Sequence, residues 1–271
     1  ADALARVYVN GGALAEAFSE LPAGAGPIPF GFAGGEAGSL GAALVAEDAG
    51  VRLEGRALAT GDTELYRPEP FESELVEEVP ADVLAFVSFA DLGGALTGSG
   101  GLGLEMLGLD TAEIAELFAG ETAVFVRAGG AEPDVTLVTM VEDEAAALAT
   151  VERLVGTAAP WAGTIAYEAF DGLLVVSTSK SEIAAVRGDG PRLDQDDGFE
   201  AALDAADMPD QTTGFGYVDV QAAVPLFVPS AALGGLEAAA ATAYLEPLGG
   251  LVFWGSDGGD AQRFSLFLGI E

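Results

Sequence analysis

Four short stretches of this chain have residue types at spacings that could support chemistry. Gly98-Ser99-Gly100-Gly101-Leu102-Gly103 fits G-x-G-x-x-G. That loop binds a dinucleotide when it joins a strand directly to a helix in a parallel sheet, so that helix amides meet the pyrophosphate. Here Ala90 to Leu96 separate the preceding strand-like run from the loop and no βαβ series follows, so the stretch reads as a glycine-rich connection. Asp194-Gln195-Asp196-Asp197-Gly198-Phe199-Glu200 has the acid density of a calcium loop. Counted from Asp194, however, glycine stands fifth rather than sixth, and the twelfth residue is Ala205 rather than a glutamate. The better reading is an N-cap, Asp197 with Glu200 three residues on. Gly38-Ser39-Leu40-Gly41 and Thr97-Gly98-Ser99-Gly100-Gly101 miss G-x-S-x-G at its first glycine, where Ala37 and Thr97 stand. Lys180, the sole lysine, sits in Ser179-Lys180-Ser181-Glu182, a capping-box pattern that exposes the amine and leaves it a poor nucleophile.

Composition removes more chemistry than these motifs supply. The chain has neither cysteine nor histidine. Thiolate nucleophiles, disulfides, thiolate zinc sites, Ser-His-Asp triads and imidazole bases are therefore absent. Carboxylate pairs remain available for hydrolysis, but with 44 acids no pairing stands out in the sequence, and Trp161 and Trp254 are the only tryptophans to form a sugar platform. No catalytic, cofactor-binding or metal-binding residue is therefore assigned, and no cofactor.

The 44 acids face 10 bases, a net charge of −34, and no two basic residues adjoin. Nucleic acid and anionic membranes bind through clustered Lys and Arg, so neither is expected as a partner. Scattered carboxylates instead keep an alanine-rich surface soluble. Half the residues are hydrophobic, ample for a core. The abundant Gly and Ala with little Lys or Asn suits a high-GC genome, with salt adaptation as the rival reading. The longest apolar stretch, Ala231 to Trp254, is interrupted by Glu237, Glu246 and Pro247, and falls short of the ~20 residues that span a bilayer. No direct membrane insertion of this fragment is expected. With no initiator Met and a strand close to Ala1, the chain reads as cut from something longer.

The elements that must position any site recur along the chain. Tyr8-Val9-Asn10, Phe86-Val87-Ser88 and Tyr217-Val218-Asp219 are each strand-like and run into a small-residue, helix-prone stretch. Near-equal steps lead to the apolar runs at Leu40, Phe118 and Leu248, each followed by a turn and another strand-like run. Equal spacing of one design implies duplication. The expected fold class is α+β, with repeated β-α-β-β half-units, a largely antiparallel sheet of about eleven strands, and helices packed on one face. The expected organisation is a half-unit at 1–59, the rear half of a preceding repeat; an acidic, proline-containing connector at 60–80, pinned by Tyr66, Phe71, Leu75 and Val76; and a complete double unit at 81–271. Between the double unit's halves lie a helix over Glu142–Val155, a hairpin about Asp171-Gly172, and helices over Ile183–Arg187 and Phe199–Ala206. The apolar faces of Gly12–Leu21 and of Ala147, Leu148, Val151, Leu154 and Val155 read as core, with a lipid or peptide cavity as the alternative.

Leu75 followed by Pro80-Ala81-Asp82-Val83-Leu84-Ala85-Phe86-Val87, then Ala169-Phe170-Asp171-Gly172-Leu173-Leu174-Val175-Val176-Ser177-Thr178, Phe199 and Tyr217-Val218-Asp219 carry a resemblance. From Leu75 onward the chain resembles a bacterial family, the domain of unknown function numbered 3352. That family occurs mainly in high-GC Gram-positive bacteria, often behind an N-terminal membrane anchor. The resemblance implies a non-enzymatic, extracytoplasmic, envelope-associated module with an interaction or scaffolding role, and it brings no activity. A carrier or sensor of a hydrophobic ligand is the alternative, and a carboxylate-based hydrolase the third.

Overall fold

A computed structural model of the chain describes residues 3–10, 37–59, 68–98, 110–130, 132–158, 165–227, 245–257 and 261–270. Its strands are β1 (Ala3–Asn10), β2 (Ala37–Glu47), β3 (Gly50–Ala59), β4 (Val83–Phe89), β5 (Thr122–Arg127), β6 (Asp134–Met140), β7 (Ala166–Phe170), β8 (Leu173–Ser177), β9 (Gly214–Asp219), β10 (Leu248–Asp257) and β11 (Ala261–Ile270). The helices are α1 (Leu92–Gly98), α2 (Thr111–Leu117), α3 (Glu144–Ala158), α4 (Lys180–Arg187), α5 (Asp197–Ala205) and α6 (Val220–Phe227). All eleven strands join one sheet in the order β1-β2-β3-β11-β10-β9-β4-β5-β6-β8-β7. Every neighbouring pair in it is antiparallel.

Alternating side chains give the sheet two faces. Leu173 and Val175 of β8 join the larger core cluster, with Ile183 and Val186 of α4 and Phe199 of α5. Leu174 and Val176 of the same strand join Leu117 of α2 and Ala147 and Val151 of α3. A single row of directly opposed residues crosses the larger core's face from edge to edge: Ala166, Ser177, Thr136, Phe125, Phe86, Tyr217, Val252, Phe267, Arg52, Val45 and Ala3. Its centre is fully buried at Phe125, Phe86 and Val252. Aromatic contacts tie α5 to that row, with Phe199 edge-on to Tyr217 at 5.2 Å and to Phe86 at 6.4 Å.

This architecture corrects the expected α+β fold of repeated β-α-β-β half-units with helices on one face. The described residues are mostly one large antiparallel sheet, the helices among them are few, and those that pack do so on both faces. Among the described residues, what recurs is the three-stranded meander, β1-β2-β3, β4-β5-β6 and β9-β10-β11. The helix-prone stretch after β4 gives, among the described residues, two seven-residue helices, α1 and α2, and the one after β9 gives one of eight, α6. Gly93 and Gly94 weaken α1 as a helix. The fifteen-residue α3 belongs to the β6–β7 crossover instead. The helix read over Gly12–Leu21 lies outside the described residues.

The stretch before β4 is a strap across the larger core. Phe71 bridges Thr212 in both directions, at 2.9 and 3.0 Å, and Leu193 N donates to Val79 O at 2.9 Å. Leu75 and Val79 are fully buried beneath it. Phe71 and Val76 are only partly covered, Val76 packing against the same core, and Tyr66 lies outside the described residues.

Candidate functional site

Glu121 precedes β5 on the face that carries Phe125, and it is 8% exposed. A buried carboxylate is costly unless hydrogen bonds replace its water. Here the strap and Ser88 of β4 supply them. One oxygen accepts from Ser88 Oγ at 2.5 Å and from Ser73 Oγ; the other accepts from the Glu74 and Leu75 amides at 2.8 and 3.2 Å. Two carboxylate oxygens offer about four acceptor directions. Four donors occupy them, so Glu121 has no free lone pair with which to take a proton from a substrate.

A cleft of about 570 Å³ lies beside this clasp, lined by Pro68, Glu69, Pro70, Phe71, Glu72, Glu74, Ala90, Asp91, Ala119, Gly120, Glu121 and Met140. A second, of about 310 Å³, lies under the other side of the strap. Its apolar lining is Phe71, Val76, Phe199, Leu203, Met208, Pro209 and Phe215, with Glu72, Asp204, Asp207 and Asp210 among its polar residues. Both are open clefts rather than enclosed cavities.

Three arginines are also engaged by the fold, although Arg127 Nε, like Asp194 Oδ1, is buried without a hydrogen-bond partner. Arg127 holds Glu182 at 3.0 Å through one nitrogen and Asp82 at 2.9 Å through another. Burial would lower the guanidinium pKa, but the hydrogen bonds to Asp82 and Glu182 outweigh it and the pKa is raised, so the group stays charged. Arg52 lies over the rings of Trp254 and Phe267, 5.4 and 5.2 Å from their centroids, and bonds both oxygens of Glu47. Arg192 donates to the carbonyls of Glu78, Val186 and Gly188, tying the strap to the C-terminus of α4. Burial above all, then Asp219 and Asp196, pushes the Tyr217 hydroxyl pKa well up, which keeps it neutral.

The motifs singled out by sequence resolve locally. β4 runs antiparallel to both its neighbours, so α1 is not part of a parallel crossover; Gly98 ends α1, and residues 99–109 lie outside the described residues. Ser39 is inside β2, paired between Asn10 and Leu58, far from the sharp turn a nucleophile elbow needs. The cap of α5 is Asp196, not Asp197: its carboxylate accepts from the Phe199 amide at 2.9 Å. Ser179 does cap α4, accepting from Ser181 N at 3.3 Å, but Glu182 turns away from the cap to Arg127. Lys180 is exposed in the first turn. Ala147, Leu148, Val151, Leu154 and Val155 pack as core against β7 and β8.

Sequence reasoning passed over Glu121, whose donors lie more than thirty positions away. Its one local signal is an acid set directly against the apolar run Thr122-Ala123-Val124-Phe125. Among the described residues no group of three or more Asp or Glu is placed to hold a metal ion, and no helix is long and apolar enough to cross a membrane. Compared with protein-family models, with curated proteins and with solved structures, the chain matches none.

Proposed function

We propose that this chain is a non-enzymatic interaction or scaffolding module of an extracytoplasmic, envelope-anchored protein. The observation that carries the non-enzymatic part is Glu121: the most deeply buried described carboxylate beside a cleft spends its acceptor capacity on the strap and on Ser88 of β4. Arg127, Arg52 and Arg192 support the same reading, each engaged by carboxylates, rings or carbonyls of the fold. The placement outside the cytoplasm rests on the resemblance to the 3352 family. The partner class is a protein, with a hydrophobic ligand second.

A screen of chromogenic esters and glycosides tests the proposal. The expected result is no turnover above buffer. Turnover that rises with protein mass and follows the protein through a second chromatographic step would sink it.

The 310 Å³ cleft favours one second reading, a carrier of a small apolar ligand, because seven of its lining side chains are apolar. Native mass spectrometry of freshly purified protein separates the two. A co-purifying lipid mass that Leu203→Asp abolishes supports the carrier; a clean apo mass supports the module.

A further inference from the structure

We infer that β1 is a docking edge for a second copy of this chain, the two β1 strands pairing antiparallel about a two-fold axis at Tyr8; the inference rests on the interaction-module reading and names its partner. Among the described strands only β1 and β7 have one neighbour. They differ in how that edge is protected. β7 has five residues, carries Glu168 paired to Arg187 at 2.7 Å, and is packed by α3 and α4. β1 has eight, and Arg6 is its only charge. Leu4, Val7 and Tyr8 are 64, 57 and 75% exposed. A long edge that exposes three large apolar side chains and only one charge, Arg6, is a template for another strand.

The fold itself shows what such an edge accepts. β4 and β9 are the first strands of two meanders, and they pair with each other. Phe86 stands opposite Tyr217, Val87 opposite Gly216 and Ala85 opposite Val218, so residues that correspond along the two strands exchange across a local two-fold. β1 is the first strand of the third meander, paired to its own hairpin on one side only. Tyr8 occupies the position of Phe86 and Tyr217 in the shared strand–hairpin spacing. The same symmetry applied to two copies sets Tyr8 against Tyr8, Val7 against Val9 and Arg6 against Asn10, an isologous and closed contact. The chain's −34 charge opposes association. No acid lies in β1 itself, so that repulsion is long-range and salt screens it.

The chain has no cysteine, so single replacements report contacts cleanly. Sedimentation velocity of the full chain at low and high salt should show a concentration-dependent dimer that salt strengthens. Oxidation of Tyr8→Cys should then link the copies roughly tenfold faster than Arg6→Cys or Asn10→Cys alone, because a disulfide needs directly opposed positions. An equimolar mixture of Arg6→Cys and Asn10→Cys should link faster than either variant by itself. A monomer at every concentration and salt, equal linking at all β1 positions, or fastest linking at Glu168→Cys on the opposite edge overturns the inference. A monomer with a blank substrate screen removes self-pairing and leaves the module reading standing; turnover in that screen strikes the module reading whatever the assembly state.

Discussion

Phe86 of β4 stands directly opposite Tyr217 of β9, and this pair joins two meanders into one sheet. Phe86 is fully buried, 5.4 Å from the Phe215 ring. Truncating it leaves a cavity at the centre of the edge-to-edge row. Phe86→Ala should cost about 3–5 kcal/mol, read from the urea midpoint. A loss below about 1 kcal/mol would mean that the β4–β9 junction is not a stabilising centre.

Beside this junction, Gly216 leaves room for a ring on the sheet's other face. A Cβ there would stand 2.2 Å from the Phe253 ring. Gly216→Ala should therefore destabilise by about 1–3 kcal/mol, and Phe253→Leu should recover part of that loss in the double variant. Strictly additive losses would show that the two positions do not meet.

The Arg127–Glu182 pair is a second structural device. Glu182 is nearly enclosed, its side chain 7% exposed. Arg127→Ala strands that carboxylate and should cost about 3 kcal/mol. Arg127→Met with Glu182→Leu removes both charges and should restore most of the stability. A double variant as unstable as Arg127→Ala would contradict this account of the pair.

Glu47 supplies a pH signature. Its hydrogen bond from Arg52 holds the carboxyl below its ordinary value of 4.5, against a smaller opposing effect of burial. A lowered folded pKa contributes stability that is present above the unfolded value and lost as pH falls through the folded one. The stability gap between the wild type and Glu47→Gln should thus be constant near neutrality and close as pH drops below 4.5. A gap unchanged down to pH 3 would exclude the pair as its source.

At the acidic turn before α5 the cap decides the outcome. Asp196→Ala should cost about 1 kcal/mol and Asp197→Ala much less, because only Asp196 accepts from the Phe199 amide. Calcium should raise the melting temperature no more than magnesium at matched ionic strength. A calcium-specific rise lost in Asp196→Ala would reveal a divalent site instead.

The strands were legible because their signals are local. Val51, Leu53 and Gly55 alternate with Arg52, Glu54 and Arg56, and β3 runs through them. Arg52, on the face the alternation reads as wet, is nonetheless buried over Trp254 and Phe267. Asp171-Gly172 takes positive φ at both residues, 53° and 77°, as a tight hairpin requires. The helices were less legible, since alanine and glycine after β4 fit a helix or a loop equally well by composition. Asp196 and Asp197 offer the same carboxylate one residue apart, and only the backbone turn selects between them. The clasp was not legible at all. Ser73 and Ser88 converge on Glu121 only once the sheet has formed and the strap has crossed it.

The central claim, that the buried charges are architecture, is tested most directly by amide hydrogen exchange in Glu121→Ala, which removes both acceptor oxygens. Loss of the carboxylate should release the Glu74 and Leu75 amides, accelerating their exchange at least about tenfold, as a local opening of the strap. Protection at Phe86 and Val252 in the sheet's centre should persist. Unchanged exchange at Glu74 and Leu75 would contradict the clasp and return Glu121 to the carboxylates free to act on a substrate.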